Sequence, residues 1–177
     1  MVGIKRGENL KISTKGRYGL RAVIDIAANG ADEPVALSEI AVRQNISISY
    51  LEQLSGKLRK AGIINSIRGA KGGYILAKAA EQISVGDVLR ALEGDLNPVD
   101  CSELTGEGET CSGSGLCVTK YVWKRISDSI NDTVNTLMLS ELIEENRRIQ
   151  KESETDVQEG TRWNIQSNIC DKNGGRS

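Results

Sequence analysis

The sequence predicts a mainly α-helical chain that contains one small β-hairpin and one long helix near its C-terminal end. Three patterns carry this prediction. Apolar residues recur every three or four positions in several segments that begin at Ser or Thr and end at Gly, as capped amphipathic helices do. Two short alternating segments flank a glycine-rich turn, which is typical of a hairpin. The last periodic segment extends about twenty residues from position 118, or ~30 Å of helix.

Two helices open the predicted domain. Ser13 or Thr14 caps the first helix, and residues 30–34, which run from Gly to Pro, end it. Ser38 begins the second helix, which extends to about Gln44. A tight turn at the next two residues leads directly into a third helix.

The third helix begins at Ser47 or Ser49, and Ser49 offers a capping box because Glu52 lies three residues later. Its apolar stripe, expected to be buried, comprises Ile48, Leu51, Leu54 and Leu58. Its outward face comprises Ser49, Tyr50, Gln53, Lys57 and Lys60. Gly62 is placed to end the helix as a left-handed residue. A helix, a tight turn and a helix of these lengths form the arrangement that lays its second member in a DNA major groove.

A β-hairpin follows the third helix. Residues 63–67 and 74–76 form its strands, and residues 69–73 form its turn. Arg68 and Lys71 lie among the glycines at its tip, so the backbone can approach DNA while a long cation reaches a minor groove. Taken alone, the tip is equally well explained as a solvated basic turn. Its position directly after a helix-turn-helix pattern favours a DNA-binding wing.

Two more helices follow the hairpin. Ser84 caps the first of them, with Asp87 completing a box, and Gly94 ends it. The long helix carries an apolar stripe that includes Val122, Ile126, Ile130 and Val134. A dimer interface explains this stripe, and packing within the chain is the alternative. Two-fold symmetry would present two recognition helices to successive major grooves of a palindromic operator in double-stranded DNA.

Three of the four cysteines, Cys101, Cys111 and Cys117, lie in one loop rich in Gly and Glu. No segment is long and apolar enough for a membrane span, and the start does not resemble a secretion signal, so we expect a cytoplasmic protein. In a reducing compartment, clustered cysteines more often bind a metal or carry out redox chemistry than form disulfides. The loop is therefore a candidate sensor, with zinc binding or bare thiol chemistry among its possible functions.

Charge is distributed unevenly, although the net charge is −1. From Lys11 to Lys78 there are 11 Lys and Arg against 5 Asp and Glu, whereas the part after Lys78 has 10 against 18. This asymmetry is expected where only one end of a chain meets a polyanion. An enzyme or electron carrier is disfavoured because the chain has no histidine, no phosphate-binding loop and no paired carboxylates on a rigid element.

These patterns divide the chain into five parts. They are a disordered extension (1–10), a winged helix-turn-helix DNA-binding domain (11–99), a cysteine loop (100–117), a dimerisation helix with a short terminal helix (118–150) and a disordered tail (151–177). Leu10 directly precedes the first segment with a clear pattern, so we expect translation of the natural chain to start there.

Four segments make the chain recognisable: KISTKGRYGLR from Lys11, ISYLEQL from Ile48, LRKAG from Leu58 and SIRGAKGGY from Ser66. They resemble the winged-helix regulator family typified by the iron-sulfur cluster regulator IscR, whose relatives include NsrR and CymR. The resemblance extends to about Ile143 and implies a homodimer with a long crossing helix. It also implies DNA-reading positions, which are Ser49, Tyr50, Glu52, Gln53 and Arg68.

By the same resemblance, the loop cysteines are ligands of a 2Fe-2S cluster, and the chain is a transcriptional repressor that senses cluster or redox status. The chain departs from IscR at Lys120, where IscR has a histidine ligand. Arg17 stands where the partner chain of NsrR supplies an aspartate. A fourth ligand would come from the other subunit, solvent, a small thiol or a carboxylate such as Asp100, Glu103, Glu107 or Glu109. The alternative is a cluster-free repressor of the cysteine-metabolism type, which responds to zinc, thiols or a partner enzyme.

Overall fold

A computed structural model describes residues 13–30, 33–99 and 117–152 of the chain. The α-helices in these residues are α1 (Thr14–Asn29), α2 (Leu37–Gln44), α3 (Ile48–Lys60), α4 (Val85–Glu93), α5 (Thr119–Thr136) and α6 (139–152), and the strands are β1 (Ile64–Ile67) and β2 (Gly73–Leu76). The predicted fold class is confirmed: mainly α, with a small hairpin wing on a helix-turn-helix and a long helix after it. The predicted N-terminal extension, Cys101, Cys111 and most of the predicted tail lie outside the described residues.

The chain divides into two compact units. The first extends to Ser140 and contains α1 to α5 and the hairpin, and the second begins at Glu141. In the second unit, Arg148 pairs with Glu145 at 2.6 Å and with Glu152 at 4.0 Å along α6. This helix includes residues 151 and 152, the first two residues of the predicted tail. Within the residues that the structure describes, no helix is both long and apolar enough to cross a membrane.

The starts of the helices agree with the sequence at α1 and α4. Ser13 caps α1 by accepting a hydrogen bond from the backbone N–H of Lys15 at 3.0 Å. Ser84 and Asp87 form the capping box of α4, each side chain bonded to the other residue's backbone N–H. Helix α2 begins one residue earlier than predicted, at Leu37.

At the start of α3, one of the two predicted caps, Ser47, is confirmed, whereas the capping box at Ser49 and the burial of Ile48 are wrong. Ser47, not Ser49, is the N-cap, and this shift places Tyr50 rather than Glu52 at the third helical position. A capping box requires a Glu or Gln there, so none forms, and the Ser47 side chain caps no backbone N–H. Ile48 was expected to be buried, but 48% of its surface is exposed because it begins the first turn, beyond the core. The rest of the stripe is buried as predicted: Leu51, Leu54 and Leu58.

The core lies where α1, α3 and α4 meet. Its largest fully buried side chains are Val23, Ile26, Ile40, Leu51, Leu58, Ile64, Ile83, Val88 and Leu139. At Gly19 of α1 the backbone approaches α4 closely, because the Leu92 side chain fills the space that a Cβ would occupy. This contact fixes α1 against the C-terminal end of α4.

The hairpin is anchored to the helices at its base. Strands β1 and β2 pair antiparallel, with Ile67 opposite Gly73 at the tip end. Gly69 in the connecting turn has a φ of +127°, a conformation that favours glycine. Val35, just before α2, pairs with Tyr74 of β2 through two backbone hydrogen bonds of 3.0 and 2.9 Å. The wing therefore has a fixed base on the helix-turn-helix.

A buried carboxylate joins α1 to α2. Asp25 has 2% of its side chain exposed, and the Arg43 guanidinium reaches it at 2.7 Å. The side-chain amide of Gln44 donates to the same carboxylate at 2.8 Å. The hydrogen bond to Asp25 raises the pKa of Arg43. Because Arg43 and Gln44 end α2, this contact holds the first helix of the helix-turn-helix in place.

Candidate nucleic-acid interface

The helix-turn-helix consists of α2, a tight turn and α3. Asn45 ends α2 in the left-handed conformation, with φ and ψ both 52°, which Asn tolerates better than most residues. The next residue, Ile46, returns the chain to the core and is buried. The turn predicted at these two residues is therefore confirmed, and it leaves the outer face of α3 exposed.

The outer face of α3 carries the predicted DNA-reading residues. Ser49, Glu52 and Gln53 are exposed, and Tyr50 is half-buried. The Tyr50 ring meets the Tyr18 ring of α1 edge to face, with the ring centroids 6.1 Å apart and the planes at 86°. Because aromatic pairs favour this geometry, the contact orients Tyr50 at the margin of the polar face.

Sequence reasoning missed a basic surface on α1 beside this contact. The guanidinium groups of Arg17 and Arg21 each lie 5.7 Å from the centroid of the Tyr18 ring. Arg21 also donates to the backbone carbonyl of Gln44 at 2.9 Å, at the end of α2. The signal in the sequence was spacing, since Arg21 follows Arg17 by four positions and Tyr18 by three, which places the three side chains on one face.

The wing exposes both of its predicted cations. Arg68 is exposed, and among the described residues it has no ion-pair partner. The Lys71 ammonium lies 3.2 Å from the Glu33 carboxylate, and both side chains are exposed. An exposed pair of this kind is weak and exchanges with solvent. Both cations of the tip are therefore accessible to an anion.

The C-terminal end of α4 contacts both α3 and α1. The Lys57 ammonium of α3 donates to the Leu92 carbonyl at 3.4 Å. The Glu93 carboxylate accepts from the Ser13 hydroxyl at 2.5 Å and from the Gly16 N–H at 2.8 Å. Partial burial alone would raise the pKa of Glu93, but these hydrogen bonds lower it. We call Ser13, Gly16, Lys57, Leu92 and Glu93 the α4 junction. The cysteine loop begins at residue 100, seven positions after Glu93.

One face of α5 packs within the chain. Arg90 of α4 donates to the side-chain carbonyl of Asn131 at 3.1 Å and to that of Asn135. Val134 lies against Gly86, where its methyl group would be 3.0 Å from an added Cβ. Val134, predicted to belong to the dimer contact, thus contacts α4 of its own chain, and its place in a dimer contact stays a prediction.

The opposite face of α5 exposes apolar side chains. Val122 has 47% of its surface exposed, and Val118 and Tyr121 are more exposed still. Ile126 and Ile130, four and eight residues after Val122, are half-buried. An apolar surface at the start of a long helix is therefore available for a further contact.

Cys117 is the loop cysteine that the structure describes, and it is half-exposed two residues before α5. Its sulfur lies 3.1 Å from the Thr119 hydroxyl. Hydrogen bonds from that hydroxyl and from the Lys120 backbone N–H lower the pKa of the Cys117 thiol. Because Cys101 and Cys111 lie outside the described residues, the predicted ligand set stays a prediction. The described residues contain no group of three or more His, Cys, Asp or Glu able to hold a metal ion.

Known proteins resemble this chain in sequence. Residues 12–145 match the family model of Rrf2, an iron-dependent transcriptional regulator. The transcriptional regulator IscR of Vibrio campbellii is 39% identical over 148 residues, which cover 84% of this chain and 86% of that protein. Protein rrf2 of Nitratidesulfovibrio vulgaris is 44% identical over 134 residues, covering 76% of this chain and 87% of that protein.

Solved structures agree with these matches. CymR, the global cysteine regulator of B. subtilis, has a TM-score of 0.63 at 39% identity, covering 76% of this chain and 96% of CymR. IscR of T. potens has a TM-score of 0.63 at 40% identity, covering 79% of this chain and 90% of that IscR. With the winged helix-turn-helix and its exposed polar face, these matches identify the chain as a member of the Rrf2 family of transcriptional regulators.

Proposed function

We propose that the chain is a homodimeric repressor that binds a palindromic operator through α3 and the wing, and that a 2Fe-2S cluster on its loop cysteines controls this binding. The exposed polar face of α3, with cations on α1 and the wing beside it in the fold, is the observation that carries the DNA-binding part. A sequence-specific DNA-binding protein requires both a polar face and nearby cations, because base contacts select the sequence and phosphate contacts position the protein.

Three side chains of α3 read base edges in this proposal. Gln53 offers a carboxamide that pairs with adenine, and the Ser49 hydroxyl serves as donor or acceptor. Glu52 accepts from the cytosine amino group but repels phosphate, so it penalises wrong registers as well as rewarding the right base. Tyr50, oriented by Tyr18, lies at the margin of the same face and contacts the groove edge.

Cations from three places in the fold, α1, α3 and the wing, contact the DNA backbone or minor groove. Arg17 and Arg21 of α1 and Lys71 of the wing bind phosphates, and Arg68 enters the minor groove. Lys57 serves two partners: its ammonium has three N–H donors, of which the Leu92 carbonyl uses one. It therefore binds a phosphate while it joins α3 to α4.

The exposed face of α5 forms the dimer contact. Val122, Ile126 and Ile130 meet the same residues of a second copy, whereas Val134 supports α5 from within its own chain. A two-fold pair presents two α3 helices to major grooves one helical turn apart, about 34 Å. This geometry is the reason for a palindromic operator.

The donor set fits a 2Fe-2S cluster held by Cys101, Cys111 and Cys117. Thiolates are the usual ligands of such clusters, and the lowered pKa of Cys117 favours the thiolate. A bound cluster supplies a centre whose charge changes with oxidation state. The chain has no histidine, and Lys120 is a cation, so the fourth ligand is a loop carboxylate, solvent, a small thiol or a group of the other subunit.

The α4 junction supplies a route from the cysteine loop to the DNA-reading helices. Leu92 accepts a hydrogen bond from Lys57 of α3, and Glu93 accepts one from Ser13 at the start of α1, so a shift at the end of α4 disturbs both helices. The Ser127 hydroxyl of α5 also donates to the side chain of Asn97 at 2.8 Å, three residues before the loop. The cluster regulates the protein only to the extent that the two forms of the protein, which differ in the state of the cluster, differ in operator affinity.

Selection from a random DNA library tests the DNA-binding part. The purified protein, incubated with random duplexes over several rounds, is expected to enrich a two-fold symmetric sequence. Gln53→Ala and Glu52→Ala are expected to relax the preference at single, symmetry-related positions. A wild-type protein that enriches no sequence contradicts the proposed function.

Anaerobic purification tests the cluster. Iron and acid-labile sulfide in equal amounts, with visible charge-transfer absorbance, are expected for the wild type and lost in Cys111→Ala. Cys170→Ala removes the cysteine outside the loop and is the matched control, expected to retain the colour. A protein that stays colourless after reconstitution supports the cluster-free alternative and leaves the DNA-binding part unchanged.

A further inference from the structure

Gly56 lies on the outer face of α3, and no contact or backbone conformation in the described part of the chain explains a glycine there. It is the ninth of the 13 residues of the helix, and a Cβ built at this position meets no atom within 4 Å. Gly19, Gly73 and Gly86 are different, because a Cβ at each of them would overlap a neighbouring group. Gly56 is also absent from the glycines with positive φ, so its backbone suits any residue.

A glycine in the middle of a helix weakens that helix. It loses more backbone freedom on folding than alanine does, and it leaves the helix backbone open to water. Neither close packing nor an unusual backbone conformation offsets this loss among the described residues around Gly56. The position is therefore suboptimal for the isolated protein.

Gly56 falls on the line of residues proposed to face DNA. At 100° per residue, Ser49, Gln53, Gly56 and Lys60 lie within an arc of about 60°. Gln53 precedes the glycine by one turn, and the exposed Lys60 follows it by one turn. The glycine thus stands between a proposed base reader and a cation.

We propose that Gly56 is the point of closest approach between α3 and DNA, where the helix backbone lies directly against the sugar-phosphate backbone. This inference rests on the proposed function of α3. A helix with its side chains is 10–12 Å wide and the major groove about 12 Å, so a side chain at one position decides whether the helix seats fully. Gly56 lies about 12 Å along the helix from Ile48, beyond the first turns that touch base edges.

The neighbouring charges support a phosphate rather than a base at this point. The last turn of α3 carries Lys57, Arg59 and Lys60. These cations attract the sugar-phosphate backbone toward Gly56, where no side chain separates the helix backbone from the DNA. A close approach to phosphates makes Gly56 a determinant of affinity for every sequence, in contrast to Gln53.

The test compares stability and DNA affinity in Gly56→Ala and Gly56→Leu, using the duplex selected from the random library. Both variants are expected to raise the melting temperature by a few degrees, because they improve the helix. Both are expected to weaken operator binding, by about tenfold for Ala and more for Leu, a tenfold change being 1.4 kcal/mol. A rise in melting temperature together with a loss of operator affinity is the result that a close approach predicts.

Two controls separate the possible outcomes. Gly62 also has open space around a Cβ, but its φ is +70°, so Gly62→Ala is expected to lower the melting temperature and leave operator affinity unchanged at temperatures where it is folded. Operators with one substituted base pair are expected to lose affinity in parallel for wild type and Gly56→Ala. A change in base preference assigns Gly56 to a base instead and overturns the proposal.

Failure of this inference is distinct from failure of the proposed function. Wild-type affinity in both Gly56 variants, together with weakened binding by Gln53→Ala, overturns the close approach and leaves the reading helix intact. If the wild type selects no operator, the proposed function fails and the inference fails with it.

Discussion

The Lys57 ammonium donates a hydrogen bond to the Leu92 carbonyl at 3.4 Å and thereby joins the proposed reading helix α3 to the end of α4. The carbonyls at a helix C-terminus lack partners within the helix, and cations stabilise that end of the helix dipole. The contact therefore contributes to the fold, besides any contact that Lys57 makes with DNA.

Replacing Lys57 by Met is predicted to affect both stability and DNA binding. Loss of the bond to Leu92 should lower the free energy of unfolding by about 1 kcal/mol, measured by urea denaturation. Loss of a phosphate contact should reduce the slope of log affinity against log salt by about 1. Lys60→Met is the matched control, expected to change the salt slope alone. Equal stability of the two variants would show that the bond to Leu92 contributes nothing measurable.

Glu93 is predicted to make stability depend on pH in the acid range. Its pKa is lowered in the folded protein from an ordinary value of 4.5, so its ionised form stabilises the fold. That contribution is fully present above the unfolded pKa and is lost as the pH falls through the lowered folded pKa. Glu93→Gln should therefore melt below wild type at pH 6, and the two melting temperatures should converge as the pH falls below about 4. A constant gap at all pH values would exclude the carboxylate charge as the cause.

Some features of this fold are local, and the sequence alone was sufficient to predict them. The box of Ser84 and Asp87 involves residues three apart, and Gly62, with a φ of +70°, lies two residues after the end of α3. The choice between Ser47 and Ser49 as the cap of α3 was not local in this sense. Both serines suit the position, and the turn at Asn45, where the chain returns to the core, decides between them.

Features of the site that depend on packing could not be predicted in this way. The Asp25–Arg43 pair joins residues 18 apart, and the bond from Ser13 to Glu93 joins residues 80 apart. A polar side chain shows no partner until the helices are placed in space. Periodicity likewise predicted the apolar stripe of α5 but could not show that Val134 faces Gly86.

Arg43→Met is predicted to destabilise the helix-turn-helix. It leaves the carboxylate of Asp25 buried without its cation, and breaking a buried pair in this way costs about 3 kcal/mol. Glu39, the second partner of Arg43 at 3.5 Å, is exposed, so Glu39→Gln should stay within about 0.5 kcal/mol of wild type. Urea denaturation at one protein concentration measures both. Similar losses in the two variants would mean that burial of Asp25 does not determine the effect.

Val122→Asp is predicted to convert the dimer to a monomer, because the exposed face of α5 would carry a charge into an apolar contact. Sedimentation equilibrium measures this directly. Val42→Asp is the control, since Val42 of α2 is 83% exposed and lies outside the proposed interface. Val134→Asp should instead lower the melting temperature, because it places a charge against α4. A wild-type protein that is monomeric at all concentrations contradicts the dimer.

Arg68→Ala is predicted to weaken operator binding by about 1–3 kcal/mol, because a minor-groove cation is lost from the tip of the wing. Lys71→Ala should lose less operator affinity, since Lys71 of the wild type gives up its ion pair with Glu33 when it binds a phosphate. Fluorescence anisotropy at several salt concentrations measures both affinities. The loss in Arg68→Ala should be largest on operators with an A·T-rich, narrow minor groove at the wing position, where the potential is most negative. Equal losses on A·T-rich and G·C-rich flanks would place Arg68 on a phosphate, and wild-type affinity would remove the wing from the interface.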